Sequence, residues 1–203
     1  MLAYICKRYL LAIIICENNN KKLYKEMIKM IINFIRNNKV FAGVLALIRI
    51  YIGYEWLTAG ISKIGNDFDA GGFIQGAIAS ASGENPVVQG WWATFLEAVA
   101  LPNAGLFSFL VAWGEVLVGI ALILGIFTNF AALMGITMNF AFLFSGTVST
   151  NAQMVVLTIF LLVAGFNAGR YGLDRWVIPF LKDQIKTIKH DKHTDKDDLA
   201  AVQ

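Results

Sequence analysis

The chain has 203 residues, of which 57% are hydrophobic and only 15% are charged, and its formal net charge is +3. A soluble domain carries about 25% charged residues because its surface faces water, so this composition argues against a soluble enzyme or a secreted disulfide scaffold. Lys and Arg are absent between Ile64 and Gly169 and concentrate at the two ends, unlike the basic patch of a nucleic-acid binder. The sequence predicts an all-α, polytopic membrane protein with no nucleic-acid partner.

Residues 1–39 form a basic segment that we expect on the cytoplasmic side of the membrane. Its first part leaves two alternatives open. The run Asn18-Asn19-Asn20-Lys21-Lys22 is either a solvated tether or translated upstream sequence; in the second case residues 1–26 precede the native start, at Met27 or Met30.

Four segments are apolar enough to cross a bilayer, which needs roughly 20 mainly apolar residues per helix. They cover residues 40–61, 105–126, 129–147 and 152–168. The pattern predicts a four-transmembrane-helix bundle over residues 40–181 and a disordered, charged cytoplasmic tail over residues 182–203. Because Lys and Arg favour the cytoplasmic side, the predicted location is the cell membrane, multi-pass, with both termini cytoplasmic.

The link between the first two spans, residues 65–104, contains no Lys or Arg and should therefore face outward. Gly71-Gly72 predicts a turn there. Trp91-Trp92 predicts a helix in the outer interface, since Trp favours headgroup depth, and Pro102-Asn103 should end that helix. The fold prediction therefore includes an outer interfacial loop or helix above the bundle.

Three polar residues fall inside predicted spans, where an ionisable group is costly unless it is paired or solvated. Counting along each span places Arg49, Glu115 and Asn139 near the bilayer midplane. We expect Arg49 to pair with Glu115 and Asn139 to satisfy a remaining donor. Two interpretations stay open: a buried ion pair that fixes helix register, or a polar headgroup site with these three residues in catalytic roles.

Two further charged residues belong to the first span. Glu55 lies on a different face from Arg49, and either lines the outward mouth of the bundle or snorkels to the outer interface. Lys63, at the outer end, either attracts an anionic substrate or caps the helix C-terminus. The aromatic residues Trp56, Trp91 and Trp92 are the candidate contacts for a ring-shaped ligand.

The four predicted spans contain no histidine or cysteine, which limits the cofactors that they could bind. The two histidines, His190 and His193, lie in the tail, and the two cysteines, Cys6 and Cys16, precede the first span. We therefore expect no metal site, no haem or iron–sulfur ligation and no covalently bound cofactor. A redox role would act on a diffusible carrier such as quinone, or through a partner subunit.

Residues 40–181 resemble the DoxX/DoxD family of small four-helix membrane proteins. The resemblance rests on Arg49-xxx-Gly53-xx-Trp56-Leu57-x-Ala59-Gly60-xx-Lys63, on Gly114-Glu115-xxx-Gly119-xxxxx-Gly125, and on the run from Asn167 to Trp176. The outer link, with Gly71-Gly72-Phe73, Asn85-Pro86 and Trp91-Trp92, is most similar to the DoxD branch, which includes the large subunit of thiosulfate:quinone oxidoreductase.

This resemblance implies a subunit of a membrane oxidoreductase that passes electrons from thiosulfate or a thiol to quinone. It also implies a separate DoxA-like or thiol-enzyme subunit as partner, besides membrane lipid. The rival interpretation is a non-catalytic scaffold, a stress-related accessory protein or a small-solute permease. Four spans bury little surface, so a homodimer is an open alternative to a hetero-complex.

Overall fold

The computed structural model describes residues 21–82 and 85–185, and all regular elements within these ranges are helical. The predictions for residues 1–20, for the tail beyond residue 185, and for the cysteines and histidines lie outside the described residues. The main helices are α1 (residues 21–37), α2 (Lys39–Gly65), α3 (Ala70–Ala79), α4 (Gly90–Phe95), α5 (Ala104–Leu124), α6 (Thr128–Phe144), α7 (Asn151–Ala164) and α8 (residues 174–185).

Helices α2, α5, α6 and α7 surround one apolar core, and each coincides with a predicted apolar segment. The short link after α5 makes α6 antiparallel to it, with Gly125 and Phe127 in left-handed backbone conformations at the turn. All four helices contribute fully buried apolar side chains to the core. Examples are Leu45, Ile52, Leu122, Ala132 and Leu161.

Within the described ranges, two helices are long and apolar enough to cross a membrane: Lys39–Gly65, with mean hydropathy 1.5, and the continuous run Gly90–Leu124, with mean hydropathy 2.2. Helix α6 and the stretch Asn151–Asn167 are apolar but shorter. Large apolar side chains also cover the outside of these helices, including Leu47, Phe109, Leu117 and Phe130, each at least 60% exposed. A contiguous apolar exterior of this kind is suited to lipid rather than to water.

Helices α2 and α5 pack closely because small residues line both of them. A Cβ atom at Gly53 would lie 2.9 Å from Gly119 O, and one at Gly60 would lie 2.8 Å from Val116 N. A Cβ atom at Gly119 would lie 2.6 Å from Leu57 N. These backbone-to-backbone approaches fix the axial register of the two antiparallel helices.

One end of the bundle, here called the cap end, is covered by α3 and by the helical run from Gly90 to Asn103. The prediction that Pro102 ends a separate helix is wrong, since helical backbone continues from Gly90 to Leu124. A π-helical turn over Leu96–Ala100 and a 3₁₀ turn over Leu101–Asn103 absorb the missing proline N–H. Asn103 Nδ2 donates to Val99 O at 2.9 Å, which satisfies a carbonyl in this irregular stretch.

The predicted turn at Gly71-Gly72 is also wrong, because both glycines begin α3. The carboxylate of Asp69 accepts hydrogen bonds from Gly71 N and Gly72 N at 2.9 and 3.3 Å, the usual role of an aspartate at a helix N-cap. A small apolar core joins α3 to the helical run above the bundle.

The opposite end, here called the terminal end, carries α1 and α8. Residues 182–185, predicted as part of a disordered tail, belong to α8. Asn38 separates α1 from α2 with extended backbone, and its side chain accepts from Phe41 N at 3.0 Å to cap α2.

Candidate functional site

A buried ion pair joins the two closely packed helices beneath the cap. Lys63 Nζ lies 2.7 Å from Glu115 Oε2, and the side chain of Glu115 is 1% exposed. The ammonium group also lies 5.6 Å from the ring centroids of both Phe68 and Phe142, within reach of cation–π attraction. The sequence identified both charged residues but gave Glu115 the wrong partner.

The predicted Arg49–Glu115 pair does not form. The register of α2 and α5 places Arg49 level with Gly125, because the Arg49 guanidinium occupies the space beside the Gly125 Cα. Glu115 lies ten residues earlier along α5, a distance of about 15 Å at 1.5 Å per residue. Arg49 therefore leaves the predicted catalytic cluster, and the common midplane position predicted for the two charges is wrong.

A cavity of about 480 Å³ surrounds the ion pair, here called the Glu115 cavity. Residues of α2, the α2–α3 link, the start of α3, α5, α6, the α6–α7 link and the start of α7 form its wall. They are Glu55, Trp56, Thr58, Ala59, Lys63, Phe68, Phe73, Glu115, Phe142, Thr147, Thr150, Asn151 and Met154. The cavity thus combines the buried carboxylate of Glu115, the half-buried carboxylate of Glu55 and one ammonium group with aromatic walls and several hydroxyl and amide groups.

Three of the predicted binding residues, Glu55, Trp56 and Lys63, line this cavity together with Glu115. Glu55 is half-buried on its wall. The indole Nε1 of Trp56 is buried without a hydrogen-bond partner among the described residues, and a Cβ atom at Gly135 would lie 3.0 Å from it.

The other two predicted binding residues, Trp91 and Trp92, lie in the cap and not in the Glu115 cavity. Trp92 Nε1 donates to Ser145 Oγ at 2.9 Å and so fastens α4 to the end of α6. Trp91 is 58% exposed and its ring centroid lies 5.6 Å from that of Phe144. Trp92 instead borders an apolar cavity of about 90 Å³ between the cap and the bundle, which shares Phe68, Phe73 and Phe142 with the wall of the Glu115 cavity.

Asn139 is completely buried on α6, one helical turn beyond Gly135. Neither its Nδ2 nor its Oδ1 atom has a hydrogen-bond partner among the described residues. The contact of Gly114 with Met138 places Asn139 within a turn of the level of Glu115. A buried amide without partners costs about 1–3 kcal/mol, so this position is unfavourable unless a ligand satisfies it.

Arg49 instead belongs to a second cluster at the terminal end, here called the Arg49 clamp, formed by Arg49, Gly125, Gly172 and Asp174. The guanidinium contacts the backbone of Gly125 and Gly172, and its Nη2 lies 3.5 Å from Tyr171 O. Asp174 is 3% exposed, and its charge acts on Arg49.

Asp174 holds the α5–α6 turn in place. Its carboxylate accepts from Phe127 N and Thr128 N at 2.6 and 2.9 Å, and its own N–H donates to Gly125 O at 2.8 Å. The donors at the first turn of α6 are thereby satisfied in the manner of an N-cap. The clamp therefore fastens the segment after α7 and the start of α8 to α2 and to the end of α5.

Several lining residues were not predicted from the sequence: Phe68, Phe73, Phe142, Thr147, Thr150 and Asn151. The aromatic residues lack a distinguishing signal among the chain's 15 phenylalanines. The Thr147–Asn151 link did have one, since a polar run between two apolar helices marks a turn at the cap end. Asp174 lies in the run from Asn167 to Trp176 that carries the family resemblance, but no function was predicted for it from the sequence.

The described residues contain no group of three or more His, Cys, Asp and Glu side chains that could hold a metal ion. The lining of the Glu115 cavity provides two carboxyl groups, those of Glu115 and Glu55, together with one ammonium group, aromatic rings and neutral hydrogen-bonding groups.

The regular elements of the described residues are all helical, and two of the helices, with the apolar exterior, have the length and composition of membrane-spanning helices. The DoxX family model matches residues 44–148, just over half of the chain. The chain belongs to the DoxX family. The matched region contains the Lys63–Glu115 pair and most of the cavity wall, while α1, α7 and α8 lie outside it. No curated protein and no solved structure matches the chain.

Proposed function

We propose that this DoxX protein crosses the cell membrane four times, through α2, α5, α6 and α7, with the cap outside and both termini in the cytoplasm. The distribution of Lys and Arg supports this orientation, because none lies between Ile64 and Gly169. Helix α6 and the stretch Asn151–Asn167 have 17 residues each, the lower limit of about 17 for a spanning helix.

Single cysteines would test this topology in a variant with Cys6 and Cys16 replaced by serine. Gln75, on α3 in the cap, and Asn33, on α1, are both exposed. Gln75→Cys should react with a membrane-impermeant maleimide in intact cells, whereas Asn33→Cys should react only after permeabilisation. Labelling of both sites in intact cells would contradict the proposal.

The Glu115 cavity supports a redox role in which electrons pass from thiosulfate or a thiol to quinone. The observation that carries this proposal is the Lys63–Glu115 pair inside an aromatic-walled cavity. With thiosulfate, the balanced reaction joins two thiosulfate ions through a new sulfur–sulfur bond to give tetrathionate. The two electrons released, together with two protons, reduce one quinone to quinol. With thiols, two RSH supply both protons and electrons and become a disulfide.

Each cavity residue has a role that suits this reaction. Lys63 provides a positive charge for an anionic donor, and Glu115 provides a carboxyl group that passes protons to the quinone oxygens. The aromatic walls, including Trp56, contact the quinone ring. Asn139 does not line the cavity; its buried amide, which has no partner among the described residues, donates to the oxygen of a ligand that extends beyond the lining. We retain Glu55 at the wall, and we assign Trp91 and Trp92 to anchoring the cap at the outer interface.

A separate DoxA-like or thiol-enzyme subunit is the proposed partner, placed on the cap, where the donor would arrive from outside. The exposed aromatic side chains of the cap, Trp91 among them, are available for such a contact. A homodimer through the apolar exterior is the alternative assembly.

The second candidate function is a non-catalytic scaffold or a small-solute permease. It is favoured by the position of the ion pair, which bridges the two most closely packed helices of the bundle. In that case, Lys63 and Glu115 lock the register of α2 and α5 and take no part in turnover.

The deciding experiment is thiosulfate-dependent reduction of a soluble quinone analogue by membranes that contain the protein, compared with membranes that lack it. Thiols serve as the second donor, and each assay is repeated with the candidate partner co-expressed. Glu115→Gln should abolish the rate while the protein remains folded. Glu97→Gln, the same change on an exposed residue of the cap, is the matched control and should leave the rate unchanged.

If Glu115→Gln retains the full rate in folded protein, the redox role of the cavity is wrong. No rate with either donor, with and without the partner, would favour the scaffold or permease function. Arg49→Gln separates the two clusters, since it should lower the yield of folded protein without lowering the rate per folded molecule.

A further inference from the structure

A basic cavity of about 580 Å³ lies at the terminal end, between the end of α1, the segment after α7 and the start of α8. Four cationic side chains line it: Arg36, Lys39, Arg170 and Arg175. The one acidic residue on its wall, Asp174, is already occupied by the backbone N–H groups of Phe127 and Thr128. The cavity, here called the basic cavity, therefore carries an excess of positive charge.

The wall of the basic cavity is held together by hydrogen bonds, most of them from side chains after α7 to the backbone at the end of α1 and the start of α2. Asn167 Nδ2 donates to Ile35 O and Asn38 O at 2.8 and 3.0 Å. Tyr171 Oη donates to Lys39 O at 3.3 Å, and Arg36 Nε donates to Val163 O at 3.0 Å. These bonds hold the Arg36 side chain directly and fix the backbone that carries Arg36 and Lys39 against the segment after α7.

Most of the apolar face of α1 is uncovered in the described structure, although Ile35 packs against the bundle core and Phe34 contacts Phe41. At 100° per residue, the apolar residues of α1 other than Ile32 fall on one side and its lysines on the other. The large apolar side chains that are more than 40% exposed are Leu23, Tyr24, Met27, Ile28, Met30, Ile31 and Phe34. A basic amphipathic helix of this kind lies in the interface of an anionic membrane, with its apolar face at the acyl boundary.

Helix α8 places a second set of apolar side chains at the same end. Trp176 and Phe180 are 64% and 63% exposed, and tryptophan favours headgroup depth. Phe166 and Pro179 also border the basic cavity itself. The cavity therefore has a cationic interior and an apolar border, at the level where α1 and α8 would meet the lipid.

We propose that the basic cavity binds the headgroup of an anionic phospholipid from the cytoplasmic leaflet. The phosphate meets Arg36, Lys39, Arg170 and Arg175, and guanidinium groups suit it because they donate in a planar fork. The acyl chains run along the exposed apolar faces of α1 and α8. This apolar border favours a phospholipid over free phosphate, which would gain nothing from it. The proposal is independent of the redox role of the Glu115 cavity.

Thermal unfolding of the detergent-purified full chain tests this proposal, with titrations of phosphatidylglycerol, phosphatidylcholine and inorganic phosphate. The unfolding midpoint should rise with phosphatidylglycerol only. Lys39→Gln combined with Arg175→Gln should weaken the apparent affinity about 30-fold, since each cation near an anionic surface contributes about fivefold. Both side chains are exposed, so the lipid-free midpoint should stay unchanged.

Lys22→Gln combined with Lys25→Gln is the matched control, because it removes two exposed positive charges of α1 that do not line the cavity. It should retain near-native affinity, since charges beyond about 8 Å are largely screened at physiological salt. Native mass spectrometry of each variant should show one retained anionic lipid in the wild type and control, and none in the cavity variant. Equal stabilisation by phosphatidylcholine or by phosphate, or equal losses in the two double variants, would overturn the proposal.

Discussion

Lys63 and Glu115 form an asymmetric ion pair, in which the lysine side chain is 23% exposed and the glutamate side chain is 1% exposed. The atoms are 2.7 Å apart, yet only the lysine has a route to water. Removal of Lys63 therefore leaves a buried carboxyl group without its partner, whereas removal of the Glu115 charge leaves an ammonium group that can still reach water.

Lys63→Met should destabilise the protein more than Glu115→Gln. Without Lys63, the buried carboxyl group loses its partner, and breaking a buried pair in this way costs about 3–5 kcal/mol. Without the glutamate charge, the lysine can turn toward the cavity mouth, so the cost should be near that of an exposed pair, about 1 kcal/mol. Thermal or denaturant unfolding in detergent measures both values.

The double variant, Lys63→Met with Glu115→Leu, completes the cycle and should be milder than Lys63→Met alone, because no charge remains buried. Equal losses for the two single variants would contradict the proposed asymmetry.

The close approach of α2 and α5 predicts that Gly119→Ala is destabilising. An added Cβ atom would lie 2.6 Å from Leu57 N, so the helices would have to separate, and overpacking of this kind costs about 1–3 kcal/mol. Gly43→Ala on α2 is the control, since nothing lies within 4 Å of the added atom. It should be neutral or stabilising by up to about 1 kcal/mol through helix propensity. A neutral Gly119→Ala would mean that the two helices do not pack as described.

Helical periodicity predicted which residues share a face but not the axial position of one helix against another. The steps from Arg49 through Gly53, Trp56 and Gly60 to Lys63 define one face of α2, and most of these residues are buried. Which residue of α5 stands opposite depends on backbone contacts between the two helices, such as that of Gly60 with Val116. Counting from predicted span ends placed Arg49 too far along the bundle, and so paired it with the wrong charge.

In the cap, turn signals in the sequence likewise failed to predict the backbone conformation, because they do not include tertiary packing. Pro102 and Gly71-Gly72 indicate turns when they are considered alone, but a π turn absorbs the proline and Asp69 caps a helix that starts at the glycines. These outcomes depend on packing of the cap against the bundle, through contacts such as Trp92 with Ser145. The four apolar segments, by contrast, follow from composition alone, and each coincides with a helix, α2, α5, α6 or α7.

The Arg49 clamp predicts a large loss of stability for Gly125→Ala. Gly125 has φ +70°, and an added Cβ atom would overlap the Arg49 guanidinium. The left-handed conformation alone costs about 1–2 kcal/mol for alanine, and displacement of the buried arginine should add about 1–3 kcal/mol.

Gly146→Ala provides the matched control for backbone strain. Its φ is +84°, but the contacts of an added Cβ atom are ordinary at 3.5 Å. Gly146→Ala should therefore lose only the stability that the left-handed backbone conformation costs an alanine, about 1–2 kcal/mol. If the two alanine variants unfold at the same denaturant concentration, Arg49 does not press against Gly125 as described.

Asp174→Ala should loosen the α5–α6 turn. The change removes the acceptors of Phe127 N and Thr128 N, and loss of a helix cap costs about 0.5–2 kcal/mol. It also removes the negative charge that acts on Arg49. Amide hydrogen exchange should therefore increase at the first turn of α6, with little change in the cap. Asp69→Ala, which removes the cap of α3 at the other end, should show the reverse pattern.

Asn139→Leu should separate stability from ligand binding. Both polar atoms of this buried amide lack partners among the described residues, so an apolar side chain of similar size should leave the unfolding midpoint unchanged or raise it. If the amide donates to a quinone oxygen, the same variant should raise the KM for the quinone analogue several-fold, as expected for one hydrogen bond worth about 1 kcal/mol. Thr137→Leu, on an exposed position of α6, is the control and should leave KM unchanged. A stabilised Asn139→Leu with native KM would remove Asn139 from the site and leave its burial as a structural feature only.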